Sequence, residues 1–202
     1  IKMGVTFTQG WPKPAELGVV SLLFFCWATG YLVRDHLFVV ATSFKQAEGV
    51  SKELYSAMMS VGYLSYFLGK VVFGFAANLL DGRFCMNVTI IGAPVLSWVF
   101  AAMPDKISLF VAWVLLRGSQ ASGWVGMLQI VSAWVPSVRH GRTMSFLSLS
   151  FLGGDAVCRR ILSIWIDAGM DWRTIVRTAA IPVLACAIPL SFLPTTPPYD
   201  PE

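Results

Sequence analysis

Long apolar stretches alternate with short polar breaks along this chain, and the breaks fall at "PKPAE", "LLDGR", "MPDK", "WVPS", "DAGMD" and Pro194. The intervening windows predict six helices, at about 17–43, about 54–80, about 85–103, about 107–135, about 142–168 and about 173–193. Each approaches the ~20 apolar residues that a bilayer core requires. The links are short, so successive helices are expected to run antiparallel, and an even number returns the chain to its starting side. The expected fold class is an all-α membrane protein, one domain over residues 1–202 with six transmembrane helices.

Composition agrees with the pattern. Of 202 residues, 56% are hydrophobic and only 13% are charged, against roughly 25% charged in a soluble domain. The net charge of +4 comes without any Lys/Arg run, which excludes nucleic acid as a partner. Cys26, Cys85, Cys158 and Cys186 are widely spaced and read as packing residues, with no metal-ligand spacing. No Ser-His-Asp set, metal cluster or phosphate loop is placed credibly, and "FLGGDA" lacks the Lys of a nucleotide-binding loop. The chain is therefore expected to be no enzyme and to need no cofactor and no metal. The N-terminal segment shows no apolar core followed by a cleavage site, so no secretory signal is expected. An N-terminus inside puts Lys2, Lys13, Arg83, Arg139 and Arg142 on the cytoplasmic side and Lys45, Lys52, Lys106 and Arg173 outside. That vote places both termini in the cytoplasm and the chain in a cytoplasmic (inner) membrane.

Charges inside the spans change the picture more. Arg34, Asp35, Lys70, Arg117, Asp155, Arg159 and Arg160 all fall within predicted helices. An ionisable group there is costly unless paired or hydrated, and by default faces a bundle interior or a cavity. Bases outnumber acids in that set, which suits a small anionic solute. Asp155 and Arg159 stand four apart in the favourable order for an intrahelical pair. Asp35 is expected to pair with Arg117 or with an arginine of another helix. Successive helical residues point about 100° apart. Arg34 is thus expected to face the cavity, Asp35 a neighbouring helix and His36 a packed surround.

Three helical stripes mix cations with aromatics or an amide. They are Trp27, Tyr31, Arg34 and Phe38; Tyr63, Tyr66, Lys70 and Phe73; and Trp113, Arg117, Gln120 and Trp124. Arg can grip a carboxylate or phosphate bidentately, while aromatics position the ligand. Arg34 and Lys70 are expected to face the ligand, with Trp27, Tyr31, Tyr63, Tyr66, Gln120 and Trp124 shaping the site. Arg117 reads equally as structural, and Arg159 and Arg160 as structural or snorkelling. Small residues (Gly62, Gly69 and Gly74; Gly118, Ser119, Ser122, Gly123 and Gly126; Gly153 and Gly154) suit close or sliding helix contacts.

Several stretches, in order, resemble the N-terminal half of a major facilitator superfamily transporter: "GFAANLLDGR", "RGSQASGW" and "WVPSVRHG". Tyr31 and Arg34, Lys70 before Gly74, Gln120 with Gly123 and Trp124, and Gly153-Gly154 resemble the organophosphate:phosphate antiporters within it. The resemblance implies half of a twelve-helix fold, built as two inverted three-helix repeats. It implies that Arg34 and Lys70 contact a substrate phosphate. Gly74, Asn78, Asp81 and Arg83, with Arg139 and Arg142, would form the inner gate. Asn78 stands where the family's loop motif has Asp, so that gate is expected to be altered. The implied function is alternating-access transport of an organic anion, a phosphorylated metabolite, in exchange for phosphate. The partners are the lipid bilayer and either a C-terminal six-helix half or a second chain. The competing readings are a proton-coupled transporter of a neutral or cationic solute, with Asp35 or Asp155 protonating, and a non-transporting membrane or sensor subunit.

Overall fold

The computed structural model describes residues 14–77 and 79–194. The position assigned to Asn78, like those of Lys2 and Lys13, lies outside them. The described chain forms six helical rods. The first is α1 (Pro14–Val39) continued by α2 (Ala41–Glu48), and the second is α3 (Lys52–Ala76). The third joins α4 (Gly82–Asn87) through a π-turn at Val88–Gly92 to α5 (Ala93–Ala102). The fourth is α6 (Lys106–Ser119) with α7 (Ser122–Trp134). The fifth and sixth are α8 (His140–Asp167) and α9 (Trp172–Ser191).

The predicted windows all hold rods, but their limits and continuity differ. The first rod runs past its expected end at 43, because the Val40 and Phe44 N–H groups still bond His36 and Val40 carbonyls across the α1–α2 step. It closes at Gly49, whose φ of +57° is a left-handed cap that glycine adopts without strain. The second rod stops at Ala76, short of the expected 80. Gln129 takes over there, donating from Nε2 to the carbonyls of Ala77 and Leu80. Helix four is broken at Gln120–Ala121, amid the weak helix formers Gly118, Ser119, Ser122 and Gly123. Four helices are long and apolar enough to cross a membrane by length and composition: 14–39, 52–76, 82–102 and 172–191. The other two rods fall short of that standard because one is broken and the other carries Arg142, Asp155, Arg159 and Arg160.

Local chemistry starts the rods where the polar breaks lie. Ser51 accepts the Leu54 N–H at 3.2 Å, and Asp171 accepts that of Arg173 at 3.0 Å. Asp105 caps α6 by accepting the Ile107 and Ser108 N–H groups and the Ser108 hydroxyl, which hold its carboxyl below the usual range.

The two ends of the bundle are closed differently. Around the loops at 49–51 and 167–172 the interior is aromatic: Phe44 meets Trp172 edge-on at 5.0 Å, and Phe100 lies 5.9 Å from both Phe44 and Trp113. His36 is fully buried there and bonds Ser97 Oγ at 2.9 Å, the packed role expected of it. Arg173 ties three rods together, bonding Ala101 and Met103 carbonyls and pairing with Glu48 at 2.8 Å. The opposite end gathers both ends of the described chain. Arg139 pairs with buried Glu16 at 2.7 Å, and Arg83 donates to the Leu193 carbonyl at 2.8 Å.

Helices in lipid gain little from hiding apolar surface, so close backbone approach has to hold the rods together. α1 packs on α8 as α3 packs on α6, α1 packs on α9 as α4 packs on α7, and α5 meets α9. Exchanging rods one, two and three for four, five and six leaves this pairing unchanged. The small residues lie at the crossings. A Cβ on Gly154 would sit 2.7 Å from Ala28 Cα, and one on Gly126 would sit 2.6 Å from both the Gly82 oxygen and the Met86 nitrogen. Gly74 and Gly153 meet nothing within 4 Å. Gly126→Ala therefore forces two backbones apart, at about 1–3 kcal/mol. Thermal melting of the purified protein should show a clear loss for Gly126→Ala and no comparable loss for Gly153→Ala.

Candidate functional site

A cavity of about 310 Å³ opens among α1, α3, α7 and α8, lined by Trp27, Tyr31, Arg34, Tyr66, Lys70, Trp124, Ser148 and Phe151. Six of these were singled out from the sequence, and helical spacing explains their convergence. Trp27, Tyr31 and Arg34 follow one face of α1, and Tyr66 and Lys70 follow one face of α3. The Trp27 and Trp124 rings lie 5.8 Å apart, and Gly123 makes room for that contact, since a Cβ there would meet Trp27 at 2.8 Å. The Tyr31 hydroxyl is buried and finds no hydrogen-bond partner among the described residues, a donor and acceptor that a ligand could use.

Two expected site residues stand elsewhere. Gln120 is buried behind the site, accepting from Arg117 Nη1 at 2.9 Å and donating to the Val33 carbonyl at 3.4 Å. It reaches only a recess of about 20 Å³ shared with Trp27, Tyr31, Arg34 and Thr89. Tyr63 is exposed on α3, beside Phe38 and under the Arg117 guanidinium at 5.3 Å, and it does not line the cavity.

The charges fall into two groups. In the first, Asp35 does not pair with Arg117. It meets Arg159 Nη2 at 3.1 Å, and Arg159 Nε holds Asp155 at 2.9 Å, so one guanidinium bridges two carboxylates across α1 and α8. The reason is direction: Asp35 leaves α1 toward α8, as its 100° offset from Arg34 allows, whereas Arg117 approaches α1 at the Arg34 carbonyl. In the second group, Arg34, Lys70 and Arg117 enter none of the ion pairs among the described residues. They meet aromatic rings instead. Arg34 lies 5.4 Å from the Tyr31 centroid and 4.8 Å from that of Tyr66, Lys70 lies 4.8 Å from Tyr66, and Arg117 faces Tyr63, Tyr66 and Trp113. Arg117 is almost fully buried all the same.

The expected gate residues among those described sit at the end where the described termini meet. Asp81 and Arg83 pair loosely at 3.7 Å on the surface. Gly74 faces open space, Arg142 is exposed at the start of α8, and Arg139 is held by Glu16. Glu16, Ser148 and Phe151 went unpredicted. The last two share a face of α8 with Asp155, at spacings of three and four, so a stripe on that helix was there to be read.

The family model of the Major Facilitator Superfamily matches residues 20–202. The chain belongs to that superfamily. It is therefore an integral membrane protein of a transporter family and not an enzyme, as its sequence led one to expect. Among its relatives is a probable anion transporter 6 of Oryza sativa subsp. japonica, 25% identical over 150 residues, or 74% of this chain and 35% of that one. Another is a probable L-galactonate transporter of Escherichia coli (strain K12), 27% identical over 166 residues, or 80% of this chain and 35% of that one. The chain thus spans about a third of the length of these relatives. In fold it is similar to a bacterial homolog of the human lysosomal transporter Spinster, solved inward-facing and occupied, with a TM-score of 0.76 and 14% identity over 90% of this chain and 44% of that one. Neither curated relative is named for an organophosphate, so the superfamily stands and the narrower organophosphate:phosphate resemblance does not come from them.

The revised pairing can be measured. A double-mutant cycle on Asp35→Asn and Arg159→Gln should give a coupling energy of about 1–3 kcal/mol, and the cycle on Asp35→Asn and Arg117→Gln should stay within about 0.5 kcal/mol. Arg159→Gln alone should be the costlier single change, because it strands buried Asp35 beside a second carboxylate.

Proposed function

We propose that this chain is half of a secondary transporter for an organic anion, working by alternating access. Its six rods cross the membrane as two inverted three-helix repeats, a reading supported by the helix pairing that survives exchange of one three-rod set for the other. The described termini face the cytoplasm together. A second six-helix half, from the same chain or another, completes the cavity.

One observation carries the reading: Arg34 and Lys70 line the cavity and Arg117 stands behind it against Tyr66, all three outside the ion pairs among the described residues. Unpaired cations at that depth are stabilised by an anion. Arg34 offers a planar fork to a carboxylate or phosphate, Lys70 a mobile point charge, and the Tyr31 hydroxyl a hydrogen bond. Trp27, Trp124 and Phe151 supply apolar walls for the remainder of the molecule. A phosphorylated metabolite exchanged for phosphate satisfies this set. So does a sugar acid, the kind of solute for which one relative is named. Proton-coupled transport of a cationic solute fits poorly, because the cavity would repel it and because Asp35 and Asp155 are both engaged by Arg159.

The test is uptake and binding by the full-length protein in proteoliposomes, with L-galactonate, a sugar phosphate and inorganic phosphate as probes. Arg34→Lys keeps the charge but loses the fork, and should weaken binding about tenfold or more, the worth of one charge-assisted hydrogen bond. Lys70→Ala should weaken binding with little loss of folding, because Lys70 is exposed. Anion transport unchanged in both variants would refute the site. Binding without transport would point to a sensor.

A further inference from the structure

We propose that Tyr66 is the positioning residue of the anion site, its ring gathering Arg34, Lys70 and Arg117 onto one ligand without cancelling their charge. The proposal rests on the anion reading above and deepens it. Three cations from three helices approach this ring: Arg34 Cζ of α1 and Lys70 Nζ of α3 each at 4.8 Å from its centroid, and Arg117 Cζ of α6 at 5.5 Å. Like charges that close repel, and in low dielectric they repel strongly. A carboxylate at position 66 would relieve the repulsion, but it would also consume the positive charge that an anion needs. A tyrosine ring relieves part of it through its quadrupole and leaves the net charge intact.

The surrounding bonds support the same role. Arg117 does not line the cavity; it stands behind Tyr66, bonded to Gln120 and to the Arg34 carbonyl at 3.5 Å. Its charge thus reaches the ligand through the ring and through the backbone that carries Arg34. Tyr66 and Lys70 stand four apart on α3, so the ring also fixes where an otherwise exposed Lys70 ends. Tyr66 acts through its neighbours; Arg34 and Lys70 also hydrogen-bond its hydroxyl, and it is the π-face that gathers all three cations.

The experiment uses the full-length transporter in lipid nanodiscs and reads the Kd of L-galactonate and of inorganic phosphate. Tyr66→Phe keeps the ring, should still bind both probes, and serves as the reference for the series that follows. Replacing that Phe with mono-, di- and trifluorinated phenylalanine keeps shape while draining the ring's negative face. Kd should rise stepwise with each fluorine, reaching about tenfold at three, a grading with ring charge at nearly constant shape that a merely structural role would not produce. A flat Kd across the series, with Arg34→Ala still abolishing binding, would overturn the role of the ring and leave the anion site standing. Loss of binding in Tyr66→Phe itself would assign the role to the hydroxyl and also overturn the proposal. Binding that survives Arg34→Ala unchanged would sink the anion reading and this proposal together.

Discussion

A buried cation that enters no ion pair among the described residues is the constraint on which the rest of this molecule turns. Arg117 is almost wholly enclosed, and its neighbours are Gln120, a backbone carbonyl and the rings of Tyr63, Tyr66 and Trp113. Arg34 lies close by, set against the rings of Tyr31 and Tyr66. A soluble protein could let water screen such a group; a bilayer core cannot. The arrangement is tolerable because the aromatic faces offset part of the repulsion and because an anion in the cavity can offset the remainder. The carboxylates that might have neutralised it, Asp35 and Asp155, are instead taken up by Arg159 on the far side of α1. Keeping the two groups of charge apart preserves an electropositive cavity.

That separation depends on how closely the helices approach. Gly154 lets α8 lie against Ala28 of α1, which brings Arg159 within reach of Asp35. Gly62 makes room for Trp113 and Arg117, whose atoms would lie 2.5 Å and 3.1 Å from a Cβ there, and so sets Arg117 beside the tyrosines of α3. The break in helix four and the π-turn in helix three face each other at the same depth, where Thr89 Oγ1 donates to the Ser119 carbonyl at 3.1 Å. Irregular backbone at that level is tolerated because its freed groups find partners inside the bundle.

Much of this was legible before any coordinates. A helical rod stands in each of the six hydropathy windows, and four rods are long and apolar enough to cross a membrane; helical spacing put Trp27, Tyr31 and Arg34 on one face of α1 and Tyr66 and Lys70 on one face of α3. The failures have a common physical origin. Asp35 does meet an arginine of another helix, the second of its two expected partners, but Arg159 lies 124 positions away by subtraction of their numbers, and nothing local says which arginine an acid will meet. Gln120 shares a stripe with Trp124, but the helix breaks between them, and the break turns the amide inward toward Arg117. Tyr63 stands only three residues from Tyr66, yet the α3–α6 crossing leaves one at the cavity and the other outside it. Faces follow from period; depth and partners follow from how rods cross.

The most direct measurement is the melting temperature of the full-length protein in nanodiscs, with L-galactonate, a sugar phosphate or inorganic phosphate set against an uncharged polyol of similar size. If an anion completes this charge cluster, at least one anion should stabilise the fold, by about 2.7 kcal/mol at a hundred times its Kd, the polyol should not, and Arg34→Ala should erase the difference. Equal stabilisation by the polyol, or none by any of the anions, would contradict the account.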